Sequence, residues 1–116
     1  MSGLKAPTSL PPTTQGFALN SAAPIVIDLH IDLLCPFSAK LFTTLYDNDI
    51  FKTYDGKVQF VMQNTPQPWH PQGMYVHEVT LAIKVHQPDV FVACVRAICA
   101  PMRHACVGHH RRRSPR

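Results

Sequence analysis

The chain has 116 residues, 46% of them hydrophobic, and a formal charge of +4, which allows one domain with a modest core. No apolar run reaches membrane-spanning length, because the longest, Val90 to Ala100, is broken by Arg96. The charge argues against a nucleic-acid-binding domain body: residues 103–116 hold five arginines and no acid, whereas the other 102 residues carry a net −1.

Residues 1–24 place Pro7, Pro11, Pro12 and Pro24 among small polar residues. That composition predicts an extended, mobile leader without the apolar core of a secretory signal. From Ile25 to Leu34 the residues Ile25, Ile27, Leu29, Ile31 and Leu33 alternate with a second set that includes Asp28, His30 and Asp32, a period of two that predicts a strand. Pro36 suits a first helical turn, and Phe37, Leu41, Phe42 and Leu45 recur at helical spacing to about Tyr46. The polar stretch 47–56 closes on Asp55-Gly56, a turn signal, and Val58 to Gln63 predicts a second strand with Val58, Phe60 and Met62 on one face. Strand, helix and strand over 25–63 form one unit with parallel strands and a right-handed crossover.

Cys35 then falls at the carboxyl end of the first strand, where the helix opens. Open α/β sheets gather ligands and reacting groups at those ends. The positive end of the helix favours a thiolate, the nucleophile in disulfide exchange. The competing reading of Cys35 is a small apolar filler.

Asp32 could act on the thiol or on a proton, or serve as a capping or ion-paired carboxylate. Asp28, His30 and Asp32 alternate on one face, which a solvated sheet surface explains as well as metal binding does. Trp69 and His70 stand in a connector stiffened by Pro66, Pro68 and Pro71, a place for a substrate groove beside Cys35 or for a tryptophan packed over the sheet. Gln72 to His86 predicts a helix whose apolar side is Met74, Val79, Leu81, Ala82 and Val85, with His77 and Glu78 as surface or satisfied core groups. Cys94, Cys99 and Cys106, with His104, His109 and His110, raise a zinc site, but no two-residue knuckle separates any pair, and no metal is expected. The four cysteines are expected to be thiols, which suits a reducing, cytoplasmic setting.

Cys35-Pro36-Phe37-Ser38 after an alternating strand resembles the active-site motif of thioredoxin-fold proteins, a CxxS form of it. The run Asn64-Thr65-Pro66-Gln67-Pro68-Trp69-His70-Pro71-Gln72 resembles the lead into the helical insertion of the DsbA-like branch, and the whole is most similar to small eukaryotic thioredoxin-like proteins over about Gly16 to Phe91. The resemblance implies an α/β class, a partial thioredoxin-like fold of a βαβ unit and a helical segment. Its second half, with further strands and a cis-proline, is not visible after Phe91, as in a truncated member.

The corresponding division is a leader at 1–24, a partial domain at 25–91 and an atypical Cys/Arg-rich tail at 92–116. The resemblance also implies that Cys35 attacks, that Pro36 and Phe37, with Asp32 beside them, shape the site, and that Ser38 stands where a resolving thiol would be. Without that second thiol, release of a mixed disulfide needs an external thiol. The expected activity is therefore monothiol redox exchange of an oxidoreductase kind on protein thiols or glutathione adducts, with no cofactor and glutathione as an available co-substrate. The alternatives are an inactive member, or a zinc- or nucleic-acid-binding tail on a passive domain. No membrane and no specific nucleic acid are expected as partners. An unfinished sheet edge would favour self-association.

Overall fold

A computed structural model describes residues 16–102; residues 1–15 of the expected leader and the stretch 103–116, with Cys106 and the arginine cluster, lie outside the described residues. The period-two segment forms strand β2, Ile25–Ile31, and Val58–Asn64 forms β3. They pair in parallel from Ile25 opposite Val58 to Ile31 opposite Asn64. Helix α1, Pro36–Asp47, connects them, followed by a single helical turn, α2, at Ile50–Thr53. A short strand ahead of β2, Phe17–Ala18 (β1), pairs antiparallel with β3, so the mixed sheet has the order β1-β3-β2. Helix α3, Gly73–His86, a 3₁₀ turn at Pro88–Val90 and helix α4, Phe91–Met102, complete an α/β architecture.

The strand predicted over 25–34 stops at Ile31. Asp32 ends it: its carbonyl accepts the amide of Cys35 at 3.0 Å and its side-chain Oδ1 accepts the amide of Leu34 at 2.9 Å. Those bonds fold 32–35 into a turn and take Leu34 off the ladder. The polar stretch 47–56 contains α2, whose Phe51 is buried between the Phe42 and Phe60 rings at centroid distances of 5.9 and 5.3 Å. Asp55-Gly56 does turn the chain, with Gly56 at φ 74°, the left-handed region that glycine enters without strain.

Because paired residues of parallel strands share a face, Leu29, Ile31, Phe60 and Met62 lie together beneath the helices. They form one core with Ala39 and Phe42 of α1 and Phe91, Val95 and Cys99 of α4. Alternation sets the face but not its coverage: Ile25 and Ile27, on the same side at the start of β2, are 59% and 40% exposed. Ahead of β2, the Phe17 ring packs on Phe91 at 5.4 Å, and the Asn20 side chain bonds Phe51 O, Val58 O and Phe60 N. The folded unit therefore begins before residue 25 and extends past residue 91. Arg96, which interrupts the apolar run of α4, reaches Asp47 at the end of α1 with Nε 3.1 Å from Oδ1.

Helix α3 is turned opposite to its predicted apolar side. Gly73, His77 and Thr80 are buried, while Met74, Val79, Leu81, Ala82 and Val85 are exposed. The buried amide of Leu33 finds its acceptor in His77 on the inward side, where Val76 and Ile83 also pack against the core.

Phe91 is fully buried where β1 and α4 meet. Phe91→Ala should lower unfolding free energy by about 3–5 kcal/mol, measured by urea titration.

Candidate functional site

The site grows from the turn at the carboxyl end of β2. Cys35 is the residue that caps α1, with extended backbone (φ −82°, ψ 121°) and no side-chain cap bond, and Pro36 follows as the first helical residue. Proline has no amide proton to lose there. The Cys35 carbonyl accepts the amide of Ala39 at 2.9 Å, so the first turn is wound directly on the cysteine. The thiol is half-buried and free. The Ser38 hydroxyl turns back toward the strand and accepts the Asp32 amide at 3.4 Å, a helix-to-strand contact. Phe37 is 74% exposed.

Asp32, only 2% exposed, is the polar centre of the site. Its Oδ1 accepts Leu34 N, and its Oδ2 accepts both Gln67 N at 3.1 Å and Nδ1–H of His70 at 2.7 Å. His77 adds Nε2 at 3.8 Å from Oδ1. One carboxylate thus ties the turn after β2 to the connector after β3, with His77 of α3 beside it. Helix α3 begins against it, since a Cβ on Gly73 would stand 3.7 Å from Asp32 Oδ1 and 3.6 Å from Leu34 Cδ1.

Burial by itself would raise the Asp32 pKa. The bonds from His70, Leu34 N and Gln67 N, with the His70 charge, outweigh it and hold the carboxyl below its usual value. Asp32 is thereby a buried, hydrogen-bonded carboxylate. Asp28 and His30, its neighbours in the alternating pattern, are exposed and bond Gln63 Nε2 and Thr65 Oγ1 instead. The structure does not bring these three together, and among the described residues no group of three or more His, Cys, Asp or Glu could hold a metal ion.

Trp69 and His70 separate. His70 turns in to Asp32, whereas Trp69 is 68% exposed and does not pack over the sheet.

His77 is the participant that sequence reasoning left aside. It is 4% exposed, and its Nε2 accepts the amide of Leu33 at 3.3 Å, which puts its proton on Nδ1. Nδ1 is itself buried without a partner. Burial lowers the His77 pKa, and the Asp32 charge and hydrogen bond offset only part of that. The one hint in the sequence is Asp32 itself, a carboxylate between apolar neighbours that must find donors if buried.

The other described cysteines differ in kind. Cys99 is fully buried on α4, and burial pushes its thiol up to about 11 despite the opposing Arg96 charge. Cys94 is half-buried on the same helix.

Comparison with protein-family models, with curated proteins and with solved structures finds no match to this chain. What fold and site define is a small α/β domain with a three-stranded mixed sheet and a half-buried cysteine at the carboxyl end of its parallel strand. In addition, no helix among the described residues is long and apolar enough to cross a membrane.

The two lowered pKa values begin to act at different pH. The unfolded chain takes up a proton at His77 below about pH 6.5 while the folded chain does not, so stability falls from there until the buried ring is protonated. Asp32 adds stability above about pH 4 that is lost as pH falls through its lower folded value. Urea midpoints should therefore decline in two steps, and His77→Gln, which keeps an acceptor for Leu33 N, should remove the upper one. Asp32→Ala should cost about 3 kcal/mol or more at pH 7 by stranding buried donors.

Proposed function

We propose that this chain is a monothiol redox protein in which Cys35 exchanges with disulfides or glutathione adducts. The observation that carries the reading is the position of a free, half-buried thiol at the first turn of α1 and the carboxyl end of a parallel strand. The helix there offers the amides of Phe37 and Ser38, which have no intrahelical acceptor, to a developing thiolate. The CxxS motif and the proline-rich connector, in their resemblance to DsbA-like thioredoxin-fold proteins, agree with this.

In the reaction, the Cys35 thiolate attacks one sulfur of a disulfide. A Cys35 mixed disulfide forms as the original S–S bond breaks, and the other sulfur leaves as a thiolate that takes a proton from water. Ser38 carries no sulfur with which to resolve the adduct. A second, external thiol such as glutathione attacks the mixed disulfide, releases Cys35 and leaves as the new disulfide, so the net change is one disulfide exchanged for another.

Incubation with oxidised glutathione, followed by peptide mass spectrometry of the native protein, should add glutathione at Cys35 and leave Cys99 unmodified. Cys35→Ser should abolish the adduct. Ser38→Cys should yield an intramolecular disulfide with Cys35 in place of a stable adduct. If Cys35 takes up no glutathione while the unfolded chain does, the thiol is a packing residue.

A second reading, self-association, has its own support. Strand β2 has no neighbour on its outer side among the described residues, and Ile25, Val26 and Ile27 there are 59%, 42% and 40% exposed. Sedimentation at rising concentration should then show a dimer that Val26→Lys disperses, and a monomer at every concentration would exclude it.

A further inference from the structure

The buried histidine of α3 holds the backbone of the turn that presents Cys35, through an atom whose role reverses on protonation. Nε2 of His77 accepts the amide of Leu33 at 3.3 Å and lies 3.8 Å from Asp32 Oδ1. A neutral ring with its proton on Nδ1 serves the first contact. The alternative tautomer would point Nε2–H at the Leu33 N–H, donor against donor.

Protonation gives Nε2 a hydrogen, so the ring can no longer accept from Leu33, and the nearest acceptor is the carboxylate on its other side. We propose that His77 is a proton-operated latch on the Cys35 turn: neutral, it holds the Leu33 amide; protonated, it releases that amide and turns Nε2–H to Asp32 Oδ1.

The consequence reaches the thiol through the backbone. Leu33 is fully buried, and its amide is the direct bond from the turn to α3. Leu34 N shares Asp32 Oδ1 with the arriving ring, and Cys35 N hangs on Asp32 O. Release of Leu33 together with crowding of Oδ1 loosens two consecutive amides immediately before the cysteine. Exposure of Cys35 should increase as His77 gains its proton.

The charged groups around His77 leave Asp32 as its partner. His70 reaches it only through the shared carboxylate, on the opposite oxygen. From α4, packed on α3, Arg96 is committed to Asp47 and Cys99 is buried and neutral. On α3 itself Glu78 is exposed, and so is Asp89 of the 3₁₀ turn that packs on the helix. Protonation of the ring is a local event with one carboxylate to receive it.

The effect on Cys35 rests on the monothiol reading, so the experiment has two arms. In the first, nitrogen-15 spectra of the full chain are recorded from pH 8 to pH 4.5. The latch requires His77 protonated on Nδ1 at pH 8, with the Leu33 amide and His77 Nε2 shifting together at one midpoint below 6.5 while the Val61 and Met62 amides report an intact sheet. In His77→Gln the Leu33 amide should stay flat.

In the second arm, Cys35 reacts with 2,2′-dipyridyl disulfide, a reagent that retains its reactivity in acid. The rate should show a several-fold step at the His77 midpoint that His77→Gln lacks. A proton on Nε2 at pH 8, or a Leu33 amide that ignores the His77 titration, overturns the latch. Matching spectra with identical rate profiles in both proteins overturn its link to Cys35. A thiol that reacts at no pH overturns the monothiol reading and leaves the latch to be judged on the spectra.

Discussion

The rest of the site depends on one buried carboxylate. Asp32 leaves water with a charge that must be matched inside, and the donors that match it come from two parts of the chain, the turn after β2 and the connector after β3. Burying such a group without partners is costly, and with them it fixes where each contributor must lie. The turn that carries Cys35 is held in place by this requirement as much as by apolar packing.

The adjoining backbone bears on the orientation of α3, because the buried Leu33 amide needs an acceptor and finds it in His77 Nε2. Hydrophobic burial alone would turn Met74, Leu81 and Val85 toward the sheet, yet His77 and Thr80 are inside and those residues face out. The Thr80 hydroxyl donates to the His77 carbonyl at 2.8 Å, so the buried Thr80 finds its partner within the helix. The aromatic contacts tell the complementary story. Phe17 on Phe91, and Phe51 between Phe42 and Phe60, join β1, α1, α2, β3 and α4 without directional bonds. Apolar packing assembles the body of the domain, and the carboxylate network sets the end that carries the thiol.

Position also sorts the cysteines into chemical types. Cys99 is enclosed by the core and loses access to its charged form, because a thiolate in apolar surroundings has nothing to replace its water. Cys35 sits where a strand ends and a helix begins, half-open, with helix amides ahead of it. Ser38 spends its hydroxyl on the Asp32 backbone amide, a contact that braces the first turn of α1 against the strand end.

Much of the fold was legible in the sequence. Alternation over 25–31 and 58–63 and the Pro36 start marked the βαβ unit, since strand and helix periods are local properties of the chain. The sequence also placed Cys35 at the end of the parallel strand and predicted the length of α3 to within a residue. It did not show which face of α3 is buried, that Trp69 is exposed while His70 turns inward, or that His77 reaches the Leu33 amide. Those depend on bonds to the turn at Asp32 and Leu33 from partners 35 to 44 residues further along the chain. Periodicity reports how residues are arranged around one element. Whether a buried polar group will turn that element over is decided only when distant segments meet, because the energy of satisfying the group belongs to the contact and to none of the segments alone.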